Sequence, residues 1–285
     1  MGGEAVRSGT GGSAPALAWA LLQACHPEPA ATVTAMTGVL SLAAGRGWGT
    51  LVLMAAVGCG QLTVGWSNDY LDRDFDRASG RLDKPIPSGK IPARLVGAAA
   101  VLALIACVPL SLASGLGSAL AHFTALTCAL AYNAGLKARP VSVLPYAVAF
   151  GLIPAIVTLG LPTPRWPAAW AIAAGALIGS GGHFAQVLSD IRTDRALGVR
   201  GLPQLLGERA SAALTALLLA AATVVVTFGP GRPGALALLG LATSALLTVG
   251  ILVAAARGRL KVAFRLTLAV AAVAVLAFLA GGRSL

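Results

Sequence analysis

Asn68, Asp72 and Asp76 recur at four-residue intervals in "NDYLDRDFDRASG", residues 68 to 80, and Gln186, Asp190 and Asp194 do the same in "QVLSDIRTDRALG", residues 186 to 198. Aligned on their amides, the two segments share Asp at +4 and +8, Arg at +9, Ala at +10 and Gly at +12, so D-x-x-x-D-R-A-x-G is written twice. Eight of the ten acidic residues of the chain fall in or shortly after these two segments: Asp69, Asp72, Asp74, Asp76 and Asp83, then Asp190, Asp194 and Glu208. Residues at i, i+4 and i+8 are expected on one helix face, and two such acidic faces repel unless something positive sits between them. Oxygen donors with no His or Cys at ligand spacing suit Mg2+ shared with substrate phosphates. Basic residues follow closely, Arg77, Arg81 and Lys84 after the first cluster and Arg192, Arg195 and Arg200 in and after the second. Acid, metal and base around one cavity are what a diphosphate group requires, since the metal bridges its oxygens while Arg and Lys take the remaining lone pairs. The competing reading is a pair of solvated helix ends neutralised by Arg73, Arg77 and Arg81.

The elements that must carry these residues are membrane helices. The chain has 285 residues, 57% of them hydrophobic, and a mean hydropathy of +0.82. Apolar runs are expected as nine spans at 30–46, 49–68, 93–113, 115–133, 141–160, 166–188, 208–229, 233–256 and 262–281. In lipid they must be helical, because an open sheet leaves backbone groups unpaired. The fold class is therefore all-α, a polytopic membrane bundle forming one domain over residues 15–285, preceded by a flexible Gly/Ser-rich tail, residues 1–14. The acidic copies end spans two and six, four spans apart, so both face one side of the membrane, as two pseudo-repeats of four helices plus a ninth helix require. Of the 21 basic residues, seventeen fall on that side and four on the other, which makes it the cytoplasmic one. Topology and anionic lipid head groups account for the net charge of +11, and no nucleic acid is needed.

Asn68-Asp69-x-x-Asp72-x-x-x-Asp76 with Arg81, and Asp190-x-x-x-Asp194 with Gly198 about 120 residues later, resemble the two aspartate-rich motifs of the UbiA superfamily of intramembrane prenyltransferases. The resemblance covers residues 15 to 285. It implies a cavity open laterally to lipid, a polyprenyl diphosphate whose head rests on two Mg2+ ions and whose tail lies in an apolar groove. It also implies a Tyr and a Lys after span four, matched by Tyr132 and Lys137 in "AYNAGLKARP". The implied site residues are then Asp72, Asp76, Asp190 and Asp194 for catalysis and, with Asn68, for metal, and Arg81, Lys84, Tyr132, Lys137, Gln186 and Arg200 for substrate. The chain departs from the family where Gly198-Val199-Arg200-Gly201 replaces Gly-Lys-Arg-Thr, and where Arg81-Leu82-Asp83-Lys84-Pro85 replaces R-x-x-x-R-P.

Transfer to an aromatic or lipid acceptor is the leading expectation, in the plasma membrane of a prokaryote. Intramolecular terpene cyclisation on the same scaffold is the alternative, and a carrier of phosphorylated isoprenoids has little reason to hold two metal faces. His183 is a candidate proton acceptor or a hydrogen-bonded packing residue, whereas His26 and His122 read as structural. Trp66, Tyr70 and Phe75 line the groove or belong to the interfacial aromatic belt. Asp69 and Asp74, off the face of Asp72, read as neighbours of the site or as solvated. The four cysteines form no C-x-x-C pair and read as packing residues.

Overall fold

The computed structural model describes residues 13–280, so the expected tail lies almost wholly outside the described residues. Among them there is helix and no strand. A short helix, α1 (Ala14–Ala24), precedes α2 (Pro27–Ala43), α3 (Gly49–Ala78), α4 (Ala93–Leu112) and α5 (Leu116–Asn133). A 3-10 turn at Leu136–Ala138 leads to α6 (Leu144–Gly151) and α7 (Ile153–Thr158), then α8 (Ala169–Val187), α9 (Ile191–Ala196) and α10 (Leu202–Leu206). The chain closes with α11 (Glu208–Phe228), α12 (Ala235–Ala256) and α13 (Leu260–Ala280). Five helices, α3, α4, α11, α12 and α13, are long and apolar enough to cross a bilayer. The other four expected spans are occupied by α2, α5, the α6–α7 pair and α8. Leucines such as Leu102, Leu239 and Leu246 stand exposed on the outside, as lipid allows and water would not.

Two local features decide where the acids go. First, α3 is continuous for 30 residues, well past the apolar stretch, and carries the first copy out on one rigid rod. The second copy does not mirror it. α8 stops at Val187, residues 188 to 190 form a turn in which Asp190 N–H bonds to Val187 O at 3.0 Å, and α9 starts afresh. Gln186, Asp190 and Asp194 therefore do not share one helix face, contrary to the expectation from spacing. α9 is itself stopped by Gly198 at φ +82°, where the chain turns back with Val199 N–H on Asp194 O.

Second, α6 and α8 approach closely. A Cβ on Gly175 would lie 2.4 Å from Phe150 O, and one on Gly179 would lie 2.6 Å from Tyr146 O. This small-x-x-x-small pair lets the backbones meet, as membrane helices without a hydrophobic driving force require. Pro154 ends the α6 segment, because it has no N–H for Phe150 O.

Candidate active site

Helix geometry sorts the first copy into two faces. At about 100° per residue, Asp72 stands only about 40° from Asn68, whereas Asp76 is rotated about 80°. Asp69 and Asp76, seven residues apart, differ by only about 20°. The structure follows that arithmetic. Asn68 Nδ2 donates to Asp72 Oδ2 at 3.0 Å on one face. On the other, Asp69 and Asp76 are both about 1% exposed, and Lys84 Nζ sits between them, 2.9 Å from Asp69 Oδ1 and 2.8 Å from Asp76 Oδ2. Asp76 thus leaves the stripe of Asn68 and Asp72, and Asp69 is buried and bonded rather than solvated. Asp74 is the solvated one, 72% exposed and flanked by Arg73 and Arg77.

Arg81 joins the two copies. Its Nη1 donates to Asp76 Oδ1 at 3.2 Å and its Nη2 to Asp190 Oδ2 at 2.5 Å. Burial alone would lower the Arg81 pKa, but Asp190 and Asp76 outweigh it and raise it above the usual arginine value. Lys84 behaves alike, with Asp69 and Asp76 overcoming burial and raising its pKa. Lys137, in the 3-10 turn after α5, pairs with Asp72. Asp194 accepts from Gln204 Nε2 at 2.8 Å, and burial followed by the nearby Asp190 charge pushes its carboxyl up.

The remaining expected residues separate. Tyr132 is buried edge-on against Tyr146 at 5.0 Å and His183 at 5.5 Å. Gln186, unlike its counterpart Asn68, does not bond the acid that follows it; its Oε1 accepts from Tyr146 Oη at 2.6 Å. Arg200 stays exposed in the link between α9 and α10, with no ion pair among the described residues. His183 is not on the cavity wall. It is 1% exposed and its Nε2 meets Ser142 Oγ at 3.0 Å, while that hydroxyl accepts from Leu202 N–H, a geometry that favours the packing reading. Trp66 likewise packs on α1, its Nε1 donating to Leu21 O at 2.9 Å. Asn133 escaped the sequence reading. It accepts from Asn68 at 3.3 Å and donates to Val64 O and Ser67 Oγ, so it fixes the amide beside Asp72. A lone Asn at the end of an apolar span, beside Tyr132, was the available signal.

Two apolar chambers open behind this rim. One, about 180 Å3, runs from His26, Asn68, Tyr132 and Gln186 down to Gln61 and His122 between α2, α3, α5 and α6. The other, about 140 Å3, lies between α2, α8 and α13 and is lined by Trp170, Phe264, Leu268 and Val275. They share Val33, Thr37, Tyr146, Phe150 and Gln186, so one ligand can reach both.

Among the described residues no three His, Cys, Asp or Glu side chains form a metal cage. A hard divalent ion shared with phosphate needs only one or two carboxylates, and the donor set fits that mode. Asp72 and Asp190 each hold a single cationic side chain, Lys137 or Arg81, in a place that a metal's charge also suits. The chemistry this arrangement suits is to hold an anionic head group among the charged side chains with an apolar tail in the chambers beside them.

The UbiA prenyltransferase family profile matches residues 30–270. A curated relative described as protoheme IX farnesyltransferase, from Thermus thermophilus, is 31% identical over 261 residues, covering 88% of this chain and 42% of its own length. The chain therefore spans about two fifths of that relative. Among solved structures, the apo UbiA homolog from Aeropyrum pernix K1 superposes with a TM-score of 0.73 at 22% identity, over 88% of this chain and 96% of that one. A UbiA homolog from Archaeoglobus fulgidus bound to GPP and Mg2+ gives 0.69 at 17% identity, over 92% and 98%. The fold is shared with both of these archaeal proteins, and on the profile match this chain belongs to the UbiA prenyltransferase family.

Proposed function

We propose that the chain is a Mg2+-dependent intramembrane enzyme that ionises a polyprenyl diphosphate and transfers the prenyl group to an aromatic or lipid acceptor. The observation that carries this reading is the meeting of the two acidic copies through Arg81, close to Asn68, which lines one of two adjoining apolar chambers. The diphosphate takes the rim and the isoprenoid the chambers. Asn68, Asp72, Asp190 and Asp194 hold two Mg2+ ions, with Asp76 behind them, and the ions supply Lewis-acid neutralisation of the leaving group. Arg81 and Lys137, released from Asp190 and Asp72, turn to the diphosphate oxygens, and Arg200 closes on the same head group from its exposed link. Lys84 holds Asp76 and Asp69 in place. Tyr132, Tyr146 and Gln186 wall the mouth, where an allylic cation needs π-faces and the exclusion of water.

α2, α5, α8 and the α6–α7 pair cross the bilayer with the five longer helices, and the rim faces the cytoplasm of a prokaryotic plasma membrane, the basic side of the chain. Lipid-soluble substrates reach the chambers from the membrane. A relative's description as a farnesyltransferase and another protein's structure with GPP support an isoprenoid donor.

The test is purified protein in lipid vesicles with Mg2+ and prenyl diphosphates of ten, fifteen or twenty carbons. Binding should need Mg2+ and be lost in Asp72→Ala and Asp190→Ala, with little diphosphate released until an acceptor is added. Rapid release with a cyclic hydrocarbon or alcohol, lost in Asp72→Ala, would establish the cyclase alternative and sink the transferase.

A further inference from the structure

His26 stands apart from the other histidines in its backbone. It is the one non-glycine residue with positive φ among the described residues, at φ 55° and ψ 68°, between α1 and α2. Such backbone strain persists only where its surroundings enforce it. Here the enforcement is visible. Gly65 of α3 packs on the Cys25 backbone so closely that a Cβ would lie 2.3 Å from Cys25 O. One helical turn later, on the same face of α3, Asp69 Oδ1 meets His26 Nε2 at 3.1 Å. Asp69 is buried and its Oδ1 also takes the Lys84 ammonium, while Cys25 Sγ is turned to Leu22 O and Glu28 is engaged by Arg265.

The imidazole is 41% exposed, and it lines the larger chamber beside Asn68, whose amide bonds Asp72. A carboxylate only accepts, so Nε2 donates to Asp69, while Nδ1 makes no hydrogen bond to the protein. A ring held by a buried acid on one nitrogen and open to the cavity on the other is arranged as a general base.

Resting on the transferase reading, we propose that His26, oriented by Asp69, is the catalytic residue that takes the acceptor's proton. The C1–O bond of the prenyl diphosphate breaks with its electron pair leaving on the diphosphate. The acceptor donates an electron pair to C1, and the proton it sheds passes to Nδ1 of His26. The imidazolium, bonded to Asp69, then returns that proton to water at the rim. Among the aromatic acceptors already proposed, a phenol must shed one proton when it is alkylated on oxygen or on the ring, and so serves as the probe.

The experiment uses the full chain in vesicles with Mg2+, farnesyl diphosphate and either 4-hydroxybenzoate or 1,4-dihydroxy-2-naphthoate. His26→Gly suits the positive φ and leaves a hole for a small base. It should bind farnesyl diphosphate within about twofold of wild type, yet prenylate the phenol about a hundredfold more slowly. Added imidazole should restore much of that rate in His26→Gly and none of it in Asp72→Ala. His26→Lys, a cation without a base at neutral pH, should bind the diphosphate and stay slow. Undiminished transfer by His26→Gly, its failure to bind the diphosphate, no rescue by imidazole, or recovery in His26→Lys would each overturn the proposal. Wild-type protein that alkylates neither phenol overturns it as well. Cyclic product from wild type with no phenol adduct would instead bring down the transferase reading itself.

Discussion

Replacing Lys84 with Met asks whether that ammonium belongs to the protein or to its substrate. In the structure it is 14% exposed and bonded to two carboxylates that are 2% and 1% exposed, so removal leaves buried negative charge behind. Losing one partner of a buried pair costs about 3–5 kcal/mol, and the low end applies because Asp69 keeps His26 and Asp76 keeps Arg81. About 3 kcal/mol corresponds to roughly 6 °C in a chain of this size. The measurement is the thermal midpoint of the detergent-solubilised protein at a fixed scan rate, since unfolding of such proteins is often irreversible. The pH dependence has a definite sign. The Lys84 pKa is raised in the folded state, so its contribution is complete below the unfolded value of about 10.4 and disappears as pH climbs through the folded one. Wild type and Lys84→Met should differ by the full amount at neutral pH and converge only in strong alkali. A variant with the wild-type midpoint that fails to bind prenyl diphosphate would refute the bridging role and return Lys84 to the substrate.

Asp194→Asn should raise the midpoint at pH 7 while abolishing Mg2+-dependent turnover. Its folded pKa is raised, so the ionised carboxylate costs stability above the ordinary aspartate range; a lower midpoint at pH 7, or a gain that persists below about pH 4, would contradict this. Gly179→Val should push α6 from α8, cost about 1–3 kcal/mol and weaken prenyl diphosphate binding through loss of the Tyr146–Gln186 bond; Gly182→Ala, with open space at its Cβ, is the control that should keep its midpoint. Asp74→Ala should keep near-normal turnover in the assay that Asp72→Ala fails, because Asp74 points to solvent. Single cysteines at Lys90 and Arg200, both exposed, should react with an impermeant thiol reagent in inverted vesicles and not in intact cells; labelling from outside would reverse the orientation.

Much of the site was legible because it depends on local spacing. The four-residue spacing of Asn68 and Asp72 suffices to predict their contact, and a repeated string suffices to place two acid clusters on one side of a bundle. Spacing failed where small angular errors accumulate: eight residues rotate Asp76 away from Asn68, while seven bring it back to Asp69. It also failed where chain direction changes without Gly or Pro. Nothing in Leu188-Ser189-Asp190 signals a helix end, so the joint between α8 and α9 emerges only from tertiary packing. The seat of His26 was illegible for another reason: its partner lies 43 residues away, and the glycine that packs on it reads as one apolar-span residue among many.

The resting ion pairs make the rim behave as an ion exchanger. With Lys137 on Asp72 and Arg81 on Asp190, each acid already has its counter-ion. A divalent metal arriving alone would have to evict a tethered cation and leave it stranded near a low-dielectric wall. A metal arriving with diphosphate gives the evicted Lys and Arg a new anion, so charge is traded one for one and the local field scarcely changes. On the proposed function, loading would thereby be coupled: the metal that neutralises the acids and the lipid diphosphate would come aboard together, and neither would gain much by boarding first.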